Sequence, residues 1–197
     1  MVGKNRHSIR YKEYDYSKTG YYFITICSFN MKQLFGKITK INRNDKISNP
    51  EIILNNFGLI VKDEILKSEL IRQEIRIDNY VIMPNHIHLI IEIINIDVGA
   101  NGGSPFINFQ KGECHSPLRP KMKNKSVSSF VSGLKYSITY RLRKISNNID
   151  LEIWQRNYFD RIIRNEIELN KIRNYVNSNP VNWNNNIENI LDGNIKI

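Results

Sequence analysis

Two of the four histidines in the chain stand at His86 and His88, with one residue between them. In an extended strand such side chains share a face, their Cα atoms about 6.6 Å apart at roughly 3.3 Å per residue. Two imidazoles so placed can close on one metal ion, and Ile87 between them is expected to point into the core. The same spacing also suits two partly exposed histidines on a solvated sheet face, and the tripeptide by itself leaves both readings open. Glu92 shares that face but lies about 13 Å further along the strand. A further ligand comes more easily from the end of the chain, where Tyr175 and Asn179 stand at i and i+4 on one helix face. A phenol beside a metal held by two imidazoles and an amide is suited to attack at phosphorus, with the cation neutralising and orienting the phosphate. Alone, Tyr175 also reads as a packing tyrosine of an amphipathic helix. Pro180 follows Asn179, and a residue before proline is driven toward extended backbone, so Asn179 is expected to sit off the helical position.

These residues need elements to hold them. Residues 1–20 form a polar, basic arm, and Tyr21 to Cys27 is dense in β-branched and aromatic residues, which predicts a strand. Residues 39–50 are mostly polar and read as a loop. From Asn56 to about Arg72, Leu59, Ile60, Leu66 and Leu70 recur at helical spacing, with Asn55 or Asn56 as cap. Ile75 to Met83 is a strand, Pro84-Asn85 a turn, and His86 to Ile94 a strand running back, which puts His86 where the sheet edge is open. Residues 97–125, rich in Gly and Pro, read as a flexible insertion. Ser126 to about Lys144 is helical in period, with Val127, Phe130, Val131, Leu134, Ile138 and Leu142 on one side. Trp154 to Ile163 is a short strand or packed connector. A last helix starts near Asn165, with Glu168 placed for a capping box, and stops at Pro180. The tail, 182–197, is Asn-rich and loosely held. This order predicts one α+β domain over 1–197, an antiparallel sheet with helices packed on one face.

The 197 residues carry 29 Lys and Arg against 19 Asp and Glu, a formal charge of +10 that favours a polyanionic partner. No stretch approaches the roughly 18 apolar residues of a membrane span, and the basic N-terminus lacks the apolar core of a signal peptide. Cys27 and Cys114 make neither a disulfide framework nor a four-sulfur zinc site, so a reducing, cytoplasmic setting is expected. There is no Gly-x-x-x-x-Gly-Lys-Ser/Thr, so no nucleotide cofactor is expected.

Several segments together carry a resemblance. They are Arg6-His7-Ser8-Ile9-Arg10, Tyr14-Asp15-Tyr16-Ser17, Tyr22 to Cys27, Leu34-Phe35-Gly36, Val81 to Ile90, Leu134-Lys135, Trp154 to Asp160, Ile162 to Glu166 and Tyr175 to Pro180. Over roughly residues 6–183 the chain resembles the REP-associated tyrosine transposases, relatives of the single-strand transposases with a His-hydrophobic-His motif. The resemblance implies an RRM-like or ferredoxin-like sandwich. It implies that His86, His88 and Asn179 hold Mg²⁺ or Mn²⁺ and that Tyr175 is the nucleophile, forming a 5′-phosphotyrosine link and freeing a 3′-hydroxyl. The implied substrate is single-stranded DNA with hairpin ends, acted on by a monomer or homodimer. Where many members carry histidine, this chain has Arg161, a residue suited to a phosphate contact.

Lys135, Arg164, Arg156, Arg161 and Arg141 are the cations expected at the DNA, with Arg6, Arg10, Lys12, Lys121, Lys123, Lys125 and Arg143 as further candidates. Tyr136, Tyr140, Trp154 and Tyr158 are placed either to stack on bases or to pack in the core. Two other functions fit the same residues. One is a domesticated, non-catalytic nucleic-acid-binding protein, and the other is a metal nuclease serving replication or repair.

Overall fold

The computed structural model describes residues 14–43, 46–95 and 125–183. The expected insertion lies outside these residues except for its last residue and the tail except for its first two, as do Arg6, His7, Arg10, Lys12, Cys114, His115, Lys121 and Lys123. The elements are β1 (Gly20–Cys27), β2 (Gly36–Arg43), β3 (Lys46–Leu54), α1 (Asn56–Ile71), β4 (Ile75–Met83), β5 (His86–Ile93), α2 (Val127–Ser146), β6 (Phe159–Ile163) and α3 (Glu166–Ser178).

A four-stranded sheet runs in the order β4-β5-β1-β6, with every neighbouring pair antiparallel. This is the α+β sandwich expected from the sequence, with one correction: the helices do not share a face. Tyr22, Ile24 and Ile26 of β1 and Ile87, Leu89, Ile91 and Ile93 of β5 meet the buried sides of α1 and α2. Alternate residues on the other face, Phe23 and Ile90, meet Leu169, Ile172 and Val176 of α3. Period 2 in the strands explains both clusters: one face of β1 and β5 is apolar throughout, and the other carries Phe23 and Ile90 with buried polar residues beside them, so each needs cover. The last helix follows the edge strand β6 and closes back over the side that α1 and α2 leave bare.

Residues 39–43 and 46–50 are not a loop. They fall within β2 and β3, which pair as a separate two-stranded ribbon from Gly36 opposite Leu54 to Arg43 opposite Lys46. Their polar composition argues against a strand, but cross-strand partners override propensity. Trp154 lies outside β6 and makes an isolated bridge to Ser28, so the 154–163 segment is a connector followed by a strand.

The caps are as the sequence suggests. Asn55 Oδ1 accepts from the Gly58 N–H at 3.0 Å. Asn165 Oδ1 accepts from the Glu168 N–H at 2.8 Å, while Glu168 itself accepts from the Arg164 N–H rather than closing a capping box. Ser126 and Ser129 close one at the start of α2. Gly58 is where α1 meets the loop before β2: a Cβ there would lie 2.0 Å from the Phe35 carbonyl oxygen.

Candidate active site

The Pro84-Asn85 turn sets the position of His86. Its backbone is pinned from outside the hairpin: the Phe35 N–H donates to the Pro84 carbonyl at 3.0 Å and the Ser28 N–H to the Asn85 carbonyl at 2.9 Å. His86 pairs across β1 with Cys27, and His88 with Thr25. Both imidazoles therefore face the α3 side, and Ile87 points to the opposite core, as expected. The expected open edge is not found. β5 is an interior strand, and His86 and His88 are both fully buried.

Each ring is held from behind. The Asn85 carboxamide oxygen lies 2.7 Å from His86 Nδ1. That oxygen can only accept, so the His86 proton sits on Nδ1 and Nε2 carries a lone pair. Thr25 Oγ1 lies 2.8 Å from His88 Nδ1. The two Nε2 atoms then face each other at 3.2 Å. Burial lowers the pKa of His86 to about 3. Burial, then the neighbouring His86, lowers that of His88 well below the ordinary histidine value. Both rings are neutral near pH 7, the form that binds metal.

α3 brings the remaining groups. Leu169, Ile172 and Val176 seat it on Phe23, Ile90 and Ile163. At the far edge of the sheet, β4 is bulged between Ile77 and Asn79. The Asp78 carboxylate there takes Arg173 Nε at 2.9 Å, and Asn79 Nδ2 donates to Asn177 Oδ1 at 2.9 Å. With the helix so fixed, Tyr175 and Asn179 face the histidines. The Tyr175 hydroxyl lies 3.5 Å from His88 Nε2, and its ring stands edge-on to Phe23. Burial raises its pKa, and Asn179 opposes that.

Asn179 is not displaced by Pro180. It keeps right-handed helical backbone at φ −56° and ψ −42°, because its side chain is packed at 0 % exposure. Neither its Oδ1 nor its Nδ2 makes an ordinary hydrogen bond among the described residues, although the amide is near enough to act on the titration of His86 and Tyr175. A buried amide costs about 1–3 kcal/mol when left without partners.

These residues fit a divalent cation. Two nitrogens about 2.1 Å from one ion and 3.2 Å from each other subtend roughly 100°, an ordinary ligand angle. The Asn179 amide supplies a buried oxygen that makes no ordinary hydrogen bond among the described residues. Among the described residues no three His, Cys, Asp or Glu side chains gather around a common point, so a third ligand from these residues is of another type.

The other expected residues are dispersed. Arg161 pairs across β1 with Phe23, which puts it on the histidine face, where it bonds Glu168 at 2.7 Å. Arg156 and Arg164 are exposed. Arg141 is not brought to this face: it ties α2 to Asp63 and Glu64 of α1. Lys135 donates to the carbonyls of Gln155 at 2.8 Å and Asn157 at 3.1 Å, and burial lowers its pKa to about 8. It fixes the connector before β6. Trp154 packs on Phe35 and Tyr158 lies under Lys135, whereas Tyr136 and Tyr140 stand exposed.

Sequence reasoning missed Thr25, Asn85 and Trp183. The Trp183 ring stacks on His86 with centroids 6.1 Å apart and planes 15° apart. Asn85 was legible as the residue before His86. Thr25 needed the strand register, and Trp183 lies in a stretch whose sequence reads as tail.

No protein-family model matches the chain. It is 37 % identical over 186 residues to an uncharacterized protein of Haemophilus influenzae, covering 91 % of this chain and 90 % of that protein. The chain belongs to the same family as that protein. Its fold is similar to the structure of a REP-associated tyrosine transposase bound to a REP hairpin, with a TM-score of 0.50, 19 % identity, and coverage of 93 % of this chain and 74 % of the other.

Proposed function

We propose that this protein is a metal-dependent DNA strand transferase of the transposase type, acting on hairpin-bearing single-stranded DNA through Tyr175. The observation that carries the reading is one convergence. Two back-bonded imidazoles present Nε2 atoms 3.2 Å apart, next to a buried amide that makes no ordinary hydrogen bond among the described residues and a tyrosine hydroxyl 3.5 Å from the nearer ring. The fold shared with a hairpin-bound transposase supports it, and so does the surplus of cations.

His86, His88 and Asn179 would hold Mg²⁺ or Mn²⁺, and the ion would supply neutralisation of the phosphate and a lowered pKa for a nearby phenol. Thr25 and Asn85 hold the two rings through Nδ1 and leave both Nε2 atoms toward the site, and the Asn85 oxygen, which only accepts, sets the His86 tautomer. Tyr175 then attacks phosphorus. A bond forms between its phenolic oxygen and the 5′-phosphate as the bond to the 3′-oxygen breaks. The phenol proton is lost, and the leaving oxygen takes one up as a 3′-hydroxyl. Because one phosphoester replaces another, attack on the adduct by a second 3′-hydroxyl rejoins DNA with no nucleotide consumed. A tyrosine at its usual pKa of about 10 is phenolate in about one molecule in a thousand at pH 7, and burial makes Tyr175 scarcer still. The adjacent cation site therefore explains how this side chain becomes reactive.

The test uses labelled single-stranded hairpin oligonucleotides from the flanks of the protein's own gene, with and without Mn²⁺. Mn²⁺-dependent cleavage that disappears in His86→Ala and His88→Ala, with the fold retained, is expected. Cleavage that persists in both variants contradicts the proposal, and binding without cleavage under any divalent ion favours a non-catalytic DNA-binding protein.

A further inference from the structure

The outer face of α2 carries a feature that the proposed site does not use. From Val127 to Ser146 the helix has four cations, Lys135, Arg141, Arg143 and Lys144, and no carboxylate. Two of these are committed, Lys135 to backbone carbonyls and Arg141 to α1. Arg143 and Lys144 lie toward the end of the helix, beside Tyr136 and Tyr140. Those tyrosines stand at i and i+4, with 75 % and 59 % of their surface exposed. An exposed pair of large aromatic rings on a surface helix is uncommon for a packing role, since neither ring is covered by the core it would stabilise.

The chain turns at Asn147, in left-handed backbone, and Asn147 and Asn148 close the end of a groove of about 630 Å³ with Tyr136, Tyr140, Arg143 and Lys144. Among the described residues no carboxylate lines it. Arg143 donates through Nε to the Leu151 carbonyl, which holds its guanidinium against the groove. Because α2 packs on the sheet face opposite the histidines, this groove lies outside the helical layer, with the sheet between it and Tyr175.

We propose that this groove is a second, non-catalytic site for unpaired DNA. It takes a stretch of the substrate strand outside the cleaved bond. Tyr136 and Tyr140 stack on its bases, Arg143 and Lys144 contact its phosphates, and the amides of Asn147 and Asn148 meet base edges. Positive charge without acids selects a polyanion, and exposed aromatic faces select unpaired bases over duplex, whose bases are already stacked. A strand anchored here and at Tyr175 gains affinity from both contacts. The inference rests on the proposed single-strand DNA activity but concerns different residues.

The experiment measures binding of fluorescein-labelled dT30 and of a 30-base-pair duplex to the full chain at several salt concentrations. Stacking is worth about 1–3 kcal/mol per base, so Tyr136→Ala/Tyr140→Ala should weaken dT30 binding about five-fold or more and leave duplex binding unchanged. Tyr136→Phe/Tyr140→Phe should restore it. Arg143→Gln/Lys144→Gln should reduce the slope of log K against log salt by about 1.4, at roughly 0.7 per phosphate contact. Melting temperatures check that each variant is folded. If the wild type fails to bind dT30, this site is refuted, while Mn²⁺-dependent cleavage of the hairpin-bearing strand tests the DNA-transferase reading separately. If the wild type binds and the alanine variant binds equally well, this site alone is refuted. A variant that loses self-association in sedimentation but keeps its dT30 affinity would make the groove a protein interface instead.

Discussion

Thr25→Val isolates the hydrogen bond that orients one of the two metal-facing imidazoles. Valine keeps the branched shape of threonine at a position with 1 % exposure, so packing on the sheet is retained. What is lost is the 2.8 Å contact between Oγ1 and His88 Nδ1. Leaving that ring nitrogen buried without a partner costs about 1–3 kcal/mol, offset in part by about 0.8 kcal/mol for the added buried methyl. The metal-free protein should therefore lose up to about 2 kcal/mol, equivalent to at most a few degrees in melting temperature for a chain of this size. The larger effect should be on metal. Without the hydroxyl, Nδ1 loses the partner that orients the ring, and Nε2 is no longer held toward the site. Loss of such an outer partner typically lowers affinity about 10–100-fold, or about 1.4–2.8 kcal/mol. Calorimetric titration with Mn²⁺, beside thermal melts, measures both quantities on the same sample. Thr25→Ser keeps the hydroxyl, so it should lose stability with little loss of Mn²⁺ affinity. If Thr25→Val binds Mn²⁺ as tightly as the wild type, the hydroxyl does not position His88, and the assignment of ring roles is wrong.

Other expectations follow from the same geometry. Asn179→Ala removes a buried amide that has no ordinary hydrogen bond, so metal-free stability should stay level or rise while Mn²⁺ affinity falls; reduced stability with unchanged affinity would make Asn179 a packing residue. Both histidines have folded pKa values below the unfolded value of about 6.5, so the unfolded chain binds protons first. Metal-free stability from these groups should be complete above about pH 6.5 and fall as pH drops toward 3, by up to about 1.4 kcal/mol per unit per histidine; urea melts of wild type and His86→Gln across that range should differ in slope. Gly58→Ala forces a Cβ to within 2.0 Å of the Phe35 carbonyl, so about 1–3 kcal/mol of destabilisation should outweigh the roughly 1 kcal/mol of helix propensity gained, and a rise in melting temperature would contradict that contact.

Much of this site was legible before any coordinates. His86 and His88 lie in a strong strand pattern, and the turn signal Pro84-Asn85 fixes where that strand begins. The i, i+4 spacing of Tyr175 and Asn179 follows from a helix with clear capping and a proline stop. What the chain alone could not show was which surfaces oppose each other. β1 and β5 carry large apolar residues on both faces, a pattern compatible with cover on either side, and only the topology puts α3 over the histidines and α1 and α2 behind them. Arg141 looked like a DNA contact because charge is visible in sequence while its partners, Asp63 and Glu64, lie 78 and 77 residues away. The β2-β3 ribbon was hidden for a similar reason: its polar residues satisfy strand geometry only once the partner strand is present. Thr25 became a site residue through register, which no local pattern encodes.

The central claim is that the hydroxyl of Tyr175 becomes covalently bonded to DNA beside a cation held by His86 and His88. The most direct measurement is mass spectrometry of the tryptic and nuclease digest of protein incubated with Mn²⁺ and a labelled hairpin-bearing single strand. The account predicts a 5′-phosphonucleotide on the peptide containing Tyr175, absent without Mn²⁺ and absent in Tyr175→Phe, whose DNA binding should survive. An adduct that persists in the phenylalanine variant, or cleavage with no adduct on any tyrosine, would contradict it and assign the attack to another side chain or to water.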